Sequence, residues 1–320
     1  MGLIEQAAKR LEELKRTGVD LQDGLQDAGS DAEAIEAAAI ERANARARAA
    51  SEAGTSRARA PEPGSVPPKV AAAASPAGPR LAIDLARLAQ QGLVTPDAPH
   101  TAIAREFRVI KRPILDNAHG KGGARAKDGN LVMVTSAMAG EGKSFCAVNL
   151  AMSIAMELDN TVLLVDADVA NPSVLETLGI APHAGLLDVL TDPTRDLSSV
   201  ILRTNVDKLS VLPAGTRDER ATELLASDAM TRLVHEMATR YPDRIIVFDS
   251  PPLLLTTESP VLATHMGQII VVVEADQTTS NALRQALASV ERCPLVMTLL
   301  NKARASDIGS YYGYGYRNAP

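Results

Sequence analysis

Residues 131–145 constrain this chain more than any other stretch. An apolar run at 131–134 reads as a buried strand. Small residues follow from Ser136 to Gly142, and Lys143 and Ser144 then open an apolar helical pattern of Phe145, Val148, Leu150, Ile154 and Met156. A strand, a Gly-rich turn, Lys-Ser and a helix together make a phosphate-binding loop. Backbone N–H groups of Ala139, Gly140, Glu141 and Gly142, and of Lys143, Ser144 and Phe145 at the helix start, are placed to face an anion. Lys143 is the candidate for the terminal phosphates and Ser144 for a Mg²⁺ ion. Against the pattern G-x-x-x-x-G-K-[ST], the one mismatch is Ala137, which stands where the first Gly belongs.

The rest of the C-terminal part repeats strand and helix signals. Apolar runs at 162–165, 209–212, 244–248, 269–273 and 295–300 alternate with helical stretches near 222–240, 258–265 and 278–291. Continuous apolar strands between helices predict an α/β fold, with a mostly parallel central sheet covered by helices on both faces. In such sheets ligands bind beyond the C-terminal strand ends. Three aspartates fall there. Asp166 and Asp168 follow the second run, two residues apart and on one face if the strand persists, and Asp249 ends the run IIVF. A carboxylate after a strand, downstream of a phosphate loop, suits a metal-holding role, so Asp166 and Asp249 join Ser144 as candidate Mg²⁺ groups. These features specify a P-loop NTPase fold with ATP as the expected ligand.

The N-terminal part reads differently. Residues 3–15 fit a short amphipathic helix, and 29–53 are Ala, Glu and Arg with almost no large apolar side chain. Residues 54–79 are a Pro/Gly/Ser/Ala linker. At 102–115, Phe107, Ile110 and Ile114 share one helical face and Arg105, Arg108, Lys111 and Arg112 make the other basic. The expected organisation is an N-terminal helix (1–20), a flexible Ala-rich segment and linker (21–80), a docking or oligomerisation segment (81–120), the P-loop domain (121–308) and a disordered tail (309–320).

That tail holds four of the chain's five tyrosines, Tyr311, Tyr312, Tyr314 and Tyr316. Phenols on a tether beside an ATP site are candidate phosphoryl acceptors. A phenol with a pKa near 10 is protonated at neutral pH, so a carboxylate must take its proton. Asp168 is the first candidate for that base and Asp166 the second. Lys143 is the candidate for stabilising the transferring group.

Composition narrows the partners. A net charge of −6 argues against a general nucleic-acid surface. No apolar run approaches the roughly 18 residues of a membrane span, and the N-terminus lacks the apolar core of a secretory signal. Cys146 and Cys293 lie far apart in apolar patterns, as free thiols of a reducing compartment do. The expectation is a cytoplasmic protein that meets a membrane only through a partner.

The motifs SAMAGEGKS, VLLVDADVANPS and IIVFDSPP, in that order and followed by YYGYGY, resemble the bacterial tyrosine kinases of polysaccharide export, over about 102–320. The segments LIEQAAKRLEELK, IDLARLAQQGLVTPD and EFRVIKRP are similar to a narrower group, the stand-alone cytosolic tyrosine autokinases encoded with exosortase-linked exopolysaccharide systems. The resemblance implies an ATP- and Mg²⁺-dependent autokinase whose tail is phosphorylated. Lys143 and Ser144 would hold phosphate and metal, Asp166 and Asp249 would serve the metal, and Asp168 would sit at the base position. Asn301 would lie where the superfamily often contacts adenine. The implied partners are an activating membrane chain-length-determinant protein that recruits the kinase to the inner face of the membrane, further copies of the chain in a ring-like oligomer, and a cognate tyrosine phosphatase.

Three positions depart from the wider pattern. Ala137 replaces the loop Gly. Ala170 stands where an Arg usually follows the second aspartate. In the oligomer helix, Arg105, Arg108 and Lys111 occupy the E-x-x-R-x-x-[RK] places, with Glu106 shifted by one. The competing class is a ParA/MinD-like ATPase switch, which places a signature Lys five residues before the loop Lys. Met138 stands there.

Overall fold

The computed structural model describes residues 80–120, 126–240 and 244–304. The helix expected at 3–15, the Ala-rich segment, nearly all of the linker and the tyrosine tail lie outside the described residues.

Among these residues one sheet dominates. Its strands are β1 (Arg80–Leu81), β2 (Leu131–Ser136), β3 (Thr161–Asp166), β4 (Leu202–Thr204), β5 (Leu209–Leu212), β6 (Arg244–Asp249), β7 (Gln268–Glu274) and β8 (Val296–Asn301), in the order β1-β4-β5-β3-β6-β2-β7-β8. Every neighbouring pair is parallel except β4–β5. The mostly parallel sheet expected from the apolar runs is therefore present. The central strands β2, β3 and β6 are buried along nearly their whole length, because helices cover both faces.

Successive side chains of a strand point to opposite faces, which splits the core in two. Val132, Val134, Val162, Leu164 and Val247 pack with α1 (Leu85–Gln90), α2 (Ala102–His119), α3 (Lys143–Ala155) and α4 (Val174–Leu178). Met133, Leu163, Val165, Ile246 and Phe248 pack with α5 (Leu186–Thr191), α6 (Ala221–Leu225), α7 (Asp228–Arg240), α8 (Glu258–Ala263) and α9 (Ser280–Ser289). From Cys146 onward every residue of α3 is buried. That is why its sequence is apolar on every side apart from Asn149 and Ser153, and it fixes the helix that begins at Lys143.

Two expectations are corrected. The helix expected at 222–240 is two helices: Ser227 interrupts it, and its hydroxyl accepts a hydrogen bond from Met230 N at the start of α7. Helix α2 does bury Phe107 and Ile114 and exposes Arg105, Arg108 and Arg112, but Lys111 is not on the solvent face. It is buried between α2 and α3, where Nζ donates to the Ser153 carbonyl at 2.6 Å and pairs with Glu157 Oε1 at 2.7 Å. Its long apolar stem crosses the inter-helix seam, and a carbonyl and a carboxylate at the far side satisfy the ammonium.

The pair is asymmetric, because Lys111 is nearly inaccessible and the Glu157 side chain is 31% exposed. Deleting the carboxylate strands a buried charge, whereas deleting the ammonium leaves a carboxylate that water can reach. Glu157→Ala should destabilise the fold by about 2 kcal/mol, and Lys111→Met should stay within about 1 kcal/mol of wild type. Urea unfolding followed by circular dichroism measures both.

Candidate active site

Strands β5, β3, β6, β2, β7 and β8 end on the same edge, and the predicted chemistry collects there. The phosphate loop leaves β2 at Ser136 and enters α3 at Lys143. Gly140 and Gly142 adopt φ of +88° and +93°, and a Cβ on Gly142 would lie 2.1 Å from Asn301 Nδ2. The conformation therefore favours glycine at 142, and a larger residue there would also push the Asn301 amide off the loop. Ala137, fully buried, is not among the positive-φ residues, so its position does not require the missing glycine. The loop's base is tied to the turn after β6: Leu253 N donates to Ser136 O at 2.8 Å, and the Thr135 hydroxyl donates to Pro251 O at 2.7 Å. Helix α3 has no side-chain cap on Gly142 and no acidic residue in its first turn. Its first N–H groups remain available to an anion, and Phe145 packs its ring against the adjoining core.

The three aspartates lie close to the loop. In the parallel β3–β6 register Asp166 and Asp249 are partners, at the ends of adjacent strands. Strand β3 stops at Asp166, so Asp168 belongs to the following turn, where its Oδ1 accepts from Asn171 N. Its Oδ2 nevertheless lies 2.6 Å from Lys143 Nζ. Asp249 Oδ1 is 3.9 Å from the same nitrogen, which also donates to the Ser144 hydroxyl at 3.2 Å. Asp166 is aimed elsewhere, its Oδ2 accepting from Val174 N at the start of α4. The structure thus brings Lys143, Ser144, Asp168 and Asp249 into one cluster and sets Asp166 at its edge.

Burial governs the charges. It pushes Asp249 up to about 6, with Lys143 opposing, and pushes Asp166 up to about 7, helped by the charge of Asp249. For Lys143 burial pulls down, but Asp249, Asp168 and Asp166 outweigh it and hold the ammonium above its usual value. Cys146, buried in α3, is pushed up to about 12 by burial and by the charge of Asp249, which leaves it an inert thiol.

Asp166 Oδ1, both carboxylate oxygens of Asp249 and the Ser250 hydroxyl are buried without a hydrogen-bond partner. Orphaned carboxylate oxygens beside a serine hydroxyl fit a hard cation such as Mg²⁺. Among the described residues no three His, Cys, Asp or Glu side chains form a metal cage.

Asn301, expected near adenine, ends β8 and donates from Nδ2 to Glu141 O at 2.9 Å. Sequence reasoning did not single out the other contacts here. The Glu141 side chain is buried, Thr278 donates to its Oε1, and Lys302 Nζ reaches Gly140 O at 2.8 Å. The available signal was polar residues directly after apolar runs, in VVVEADQTT and LLNKA.

An eight-stranded, mostly parallel sheet with a lysine-bearing phosphate loop and strand-end aspartates is a P-loop NTPase domain. A family model described as "AAA domain" matches residues 129–301. The chain is 30% identical over 189 residues to the tyrosine-protein kinase YwqD of Bacillus subtilis (strain 168), covering 58% of this chain and 78% of that one. It is 28% identical over 220 residues to the succinoglycan biosynthesis transport protein ExoP of Rhizobium meliloti (strain 1021), covering 67% of this chain but only 27% of that one. The solved kinase domain of the Escherichia coli tyrosine kinase ETK superposes with a TM-score of 0.54 at 25% identity, covering 69% of this chain and 83% of that one. The chain belongs to the AAA-domain bacterial tyrosine-protein kinases.

The raised carboxylates have a thermodynamic consequence. An acid whose folded pKa exceeds its unfolded value favours the fold fully at low pH, and that contribution is lost as pH rises through the folded value. Asp249 should therefore penalise the fold increasingly between about pH 4 and 6. Asp249→Asn should melt higher than wild type at pH 8, and the gap should close towards pH 4. Thermal unfolding across that range, without nucleotide or divalent cation, is the measurement.

Proposed function

We propose that this chain is an ATP- and Mg²⁺-dependent protein-tyrosine autokinase that phosphorylates its own C-terminal tyrosines, Tyr311, Tyr312, Tyr314 and Tyr316, in the service of exopolysaccharide polymerisation or export. The observation that carries the reading is the Lys143–Asp168 pair. It sets a phosphate-binding ammonium 2.6 Å from a buried carboxylate, with Asp249 3.9 Å from the same nitrogen.

Each group has a role. The loop N–H groups of 139–145 bind the phosphates. Lys143 neutralises charge on the transferring phosphoryl group, which is where most of the catalysis in this reaction class lies. Ser144 and Asp249, with Asp166 at the edge, are the residues that would hold Mg²⁺, and the ion would supply further charge neutralisation on the phosphates. As the phenol oxygen of a tail tyrosine bonds to the γ-phosphorus, the bond from that phosphorus to the β–γ bridging oxygen breaks and ADP leaves. Asp168 accepts the phenol proton. Lys143 cannot serve phosphate and Asp168 equally, so a phosphate that draws the ammonium away leaves Asp168 free to act as base.

The relatives support a setting in polysaccharide export. ExoP is named a succinoglycan biosynthesis transport protein, and among the described residues no helix is long and apolar enough to cross a membrane. The proposed partners are a membrane chain-length-determinant protein that activates this chain at the inner face of the membrane, further copies of the chain, and a phosphatase that resets the tail.

Incubating the full chain with Mg·ATP, with and without the cytoplasmic segment of the activator, and mapping phosphate by mass spectrometry tests the proposal. Phosphate should appear on the tail tyrosines, vanish in Lys143→Met, and vanish when all four tyrosines become Phe. ATP hydrolysis with no phosphotyrosine in either condition would overturn it in favour of an ATPase switch.

A further inference from the structure

The phosphate loop fixes its own shape only in part, through the Ser136 hydroxyl on Met138 O and Met138 N on the Glu141 carboxylate. Gly140 and Gly142 take left-handed conformations that only glycine adopts freely, and the same freedom lets the backbone leave them. Side chains from the ends of β7 and β8 hold it from outside. Glu141 Oε2 accepts from Met138 N at 2.9 Å, and its Oε1 accepts from the Thr278 hydroxyl. That hydroxyl itself accepts from Glu274 N at 2.9 Å. Lys302 Nζ donates to Gly140 O at 2.8 Å and pairs with Glu274 Oε2 at 3.0 Å. The two strand ends are locked together, since Glu274 and Asn301 are register partners and Ala275 N donates to Asn301 O. Lys302 takes a φ of +57°, uncommon for a side chain of its kind, and that backbone turn is where its ammonium meets the loop.

We propose that Thr278, Glu274 and Lys302 are positioning residues for nucleotide binding: with Glu141 they brace the phosphate loop against the ends of β7 and β8, so that its N–H groups are aimed before an anion arrives. The proposal rests on reading the loop as the ATP site. Beside Asn301, whose Nδ2 donates to the Glu141 carbonyl, the brace has two further arms: Thr278 to the Glu141 carboxylate, and Lys302, anchored by Glu274, to the Gly140 carbonyl. Both arms act through the loop. Without them, binding must order the loop as well as fill it, and affinity falls. Chemistry is spared, because Lys143 and Ser144 are carried by α3, and Asp168 by the turn after β3, where the brace makes no contact.

The test is an equilibrium titration of the full chain with methylanthraniloyl-ATP and Mg²⁺, paired with single-turnover tail phosphorylation. Thr278→Val and Lys302→Met should each raise the nucleotide Kd about tenfold. Thr278→Ser, which keeps the hydroxyl, should stay within about twofold of wild type. At saturating ATP the rate should hold within about threefold, so that KM rises while kcat does not. If Thr278→Val fails to fold in a circular-dichroism melt, Lys302→Met carries the test, because its side chain is 48% exposed. Wild type that binds nucleotide, with folded variants binding within about twofold of it, overturns the brace alone. Wild type that binds no nucleotide overturns the reading of the site and the brace with it.

Discussion

The site is organised around one buried ammonium. Lys143 has a side chain only 13% exposed, is bonded to Asp168, and is 3.9 Å from a second carboxylate. Burying charge is costly unless it is paired. The lysine satisfies Asp168 directly and Asp249 weakly, and it leaves oxygens of Asp249 and Asp166 without partners. Those two acids respond by holding protons up to about 6 and about 7. On the proposed reading a divalent cation would supply the missing positive charge, and phosphate would compete with Asp168 for the lysine. On that reading the cluster would change partners when Mg·ATP binds.

The fold makes that cluster possible by strand order. Placing β3, β6 and β2 side by side and parallel brings their three following turns to one edge. Residues far apart in sequence, at 143, 168 and 249, then converge without a long loop. Helix α3, buried on nearly every side, sets the direction of Lys143 and Ser144, and the turn after β6 anchors the foot of the loop through Thr135 and Ser136. On the other flank β7 and β8 hold the loop's crown. The site is thus defined from both sides by the sheet that also supplies the core.

Much of this was legible in the sequence because it is local. The apolar runs announce parallel strands, and the loop reads directly as strand, glycines, Lys-Ser and helix. The aspartates stand out because each follows a strand. What was not legible depends on contacts across the chain. Lys111 looks like one more basic residue on a charged face, and only the packing of α2 on α3 shows that its ammonium is buried against Ser153 and Glu157. Asp166 and Asp168 share one face by spacing alone, yet the end of β3 falls between them and gives Lys143 to Asp168 and Val174 to Asp166. Asn301 is a strand-end polar residue whose partner, the Glu141 carbonyl, is 160 positions away. The three-residue β4 and the short α4 and α5 carry too few residues for periodicity to register.

The central claim is that one carboxylate, Asp168, both holds the phosphate-binding lysine and receives the acceptor's proton. Asp168→Asn separates the two functions in a single variant. The account predicts that it binds Mg·ATP at least as tightly as wild type, because Lys143 loses a competitor, while single-turnover transfer to the tail falls by about 10²–10⁴-fold. Transfer at the wild-type rate, or a loss explained wholly by weaker nucleotide binding, would contradict it.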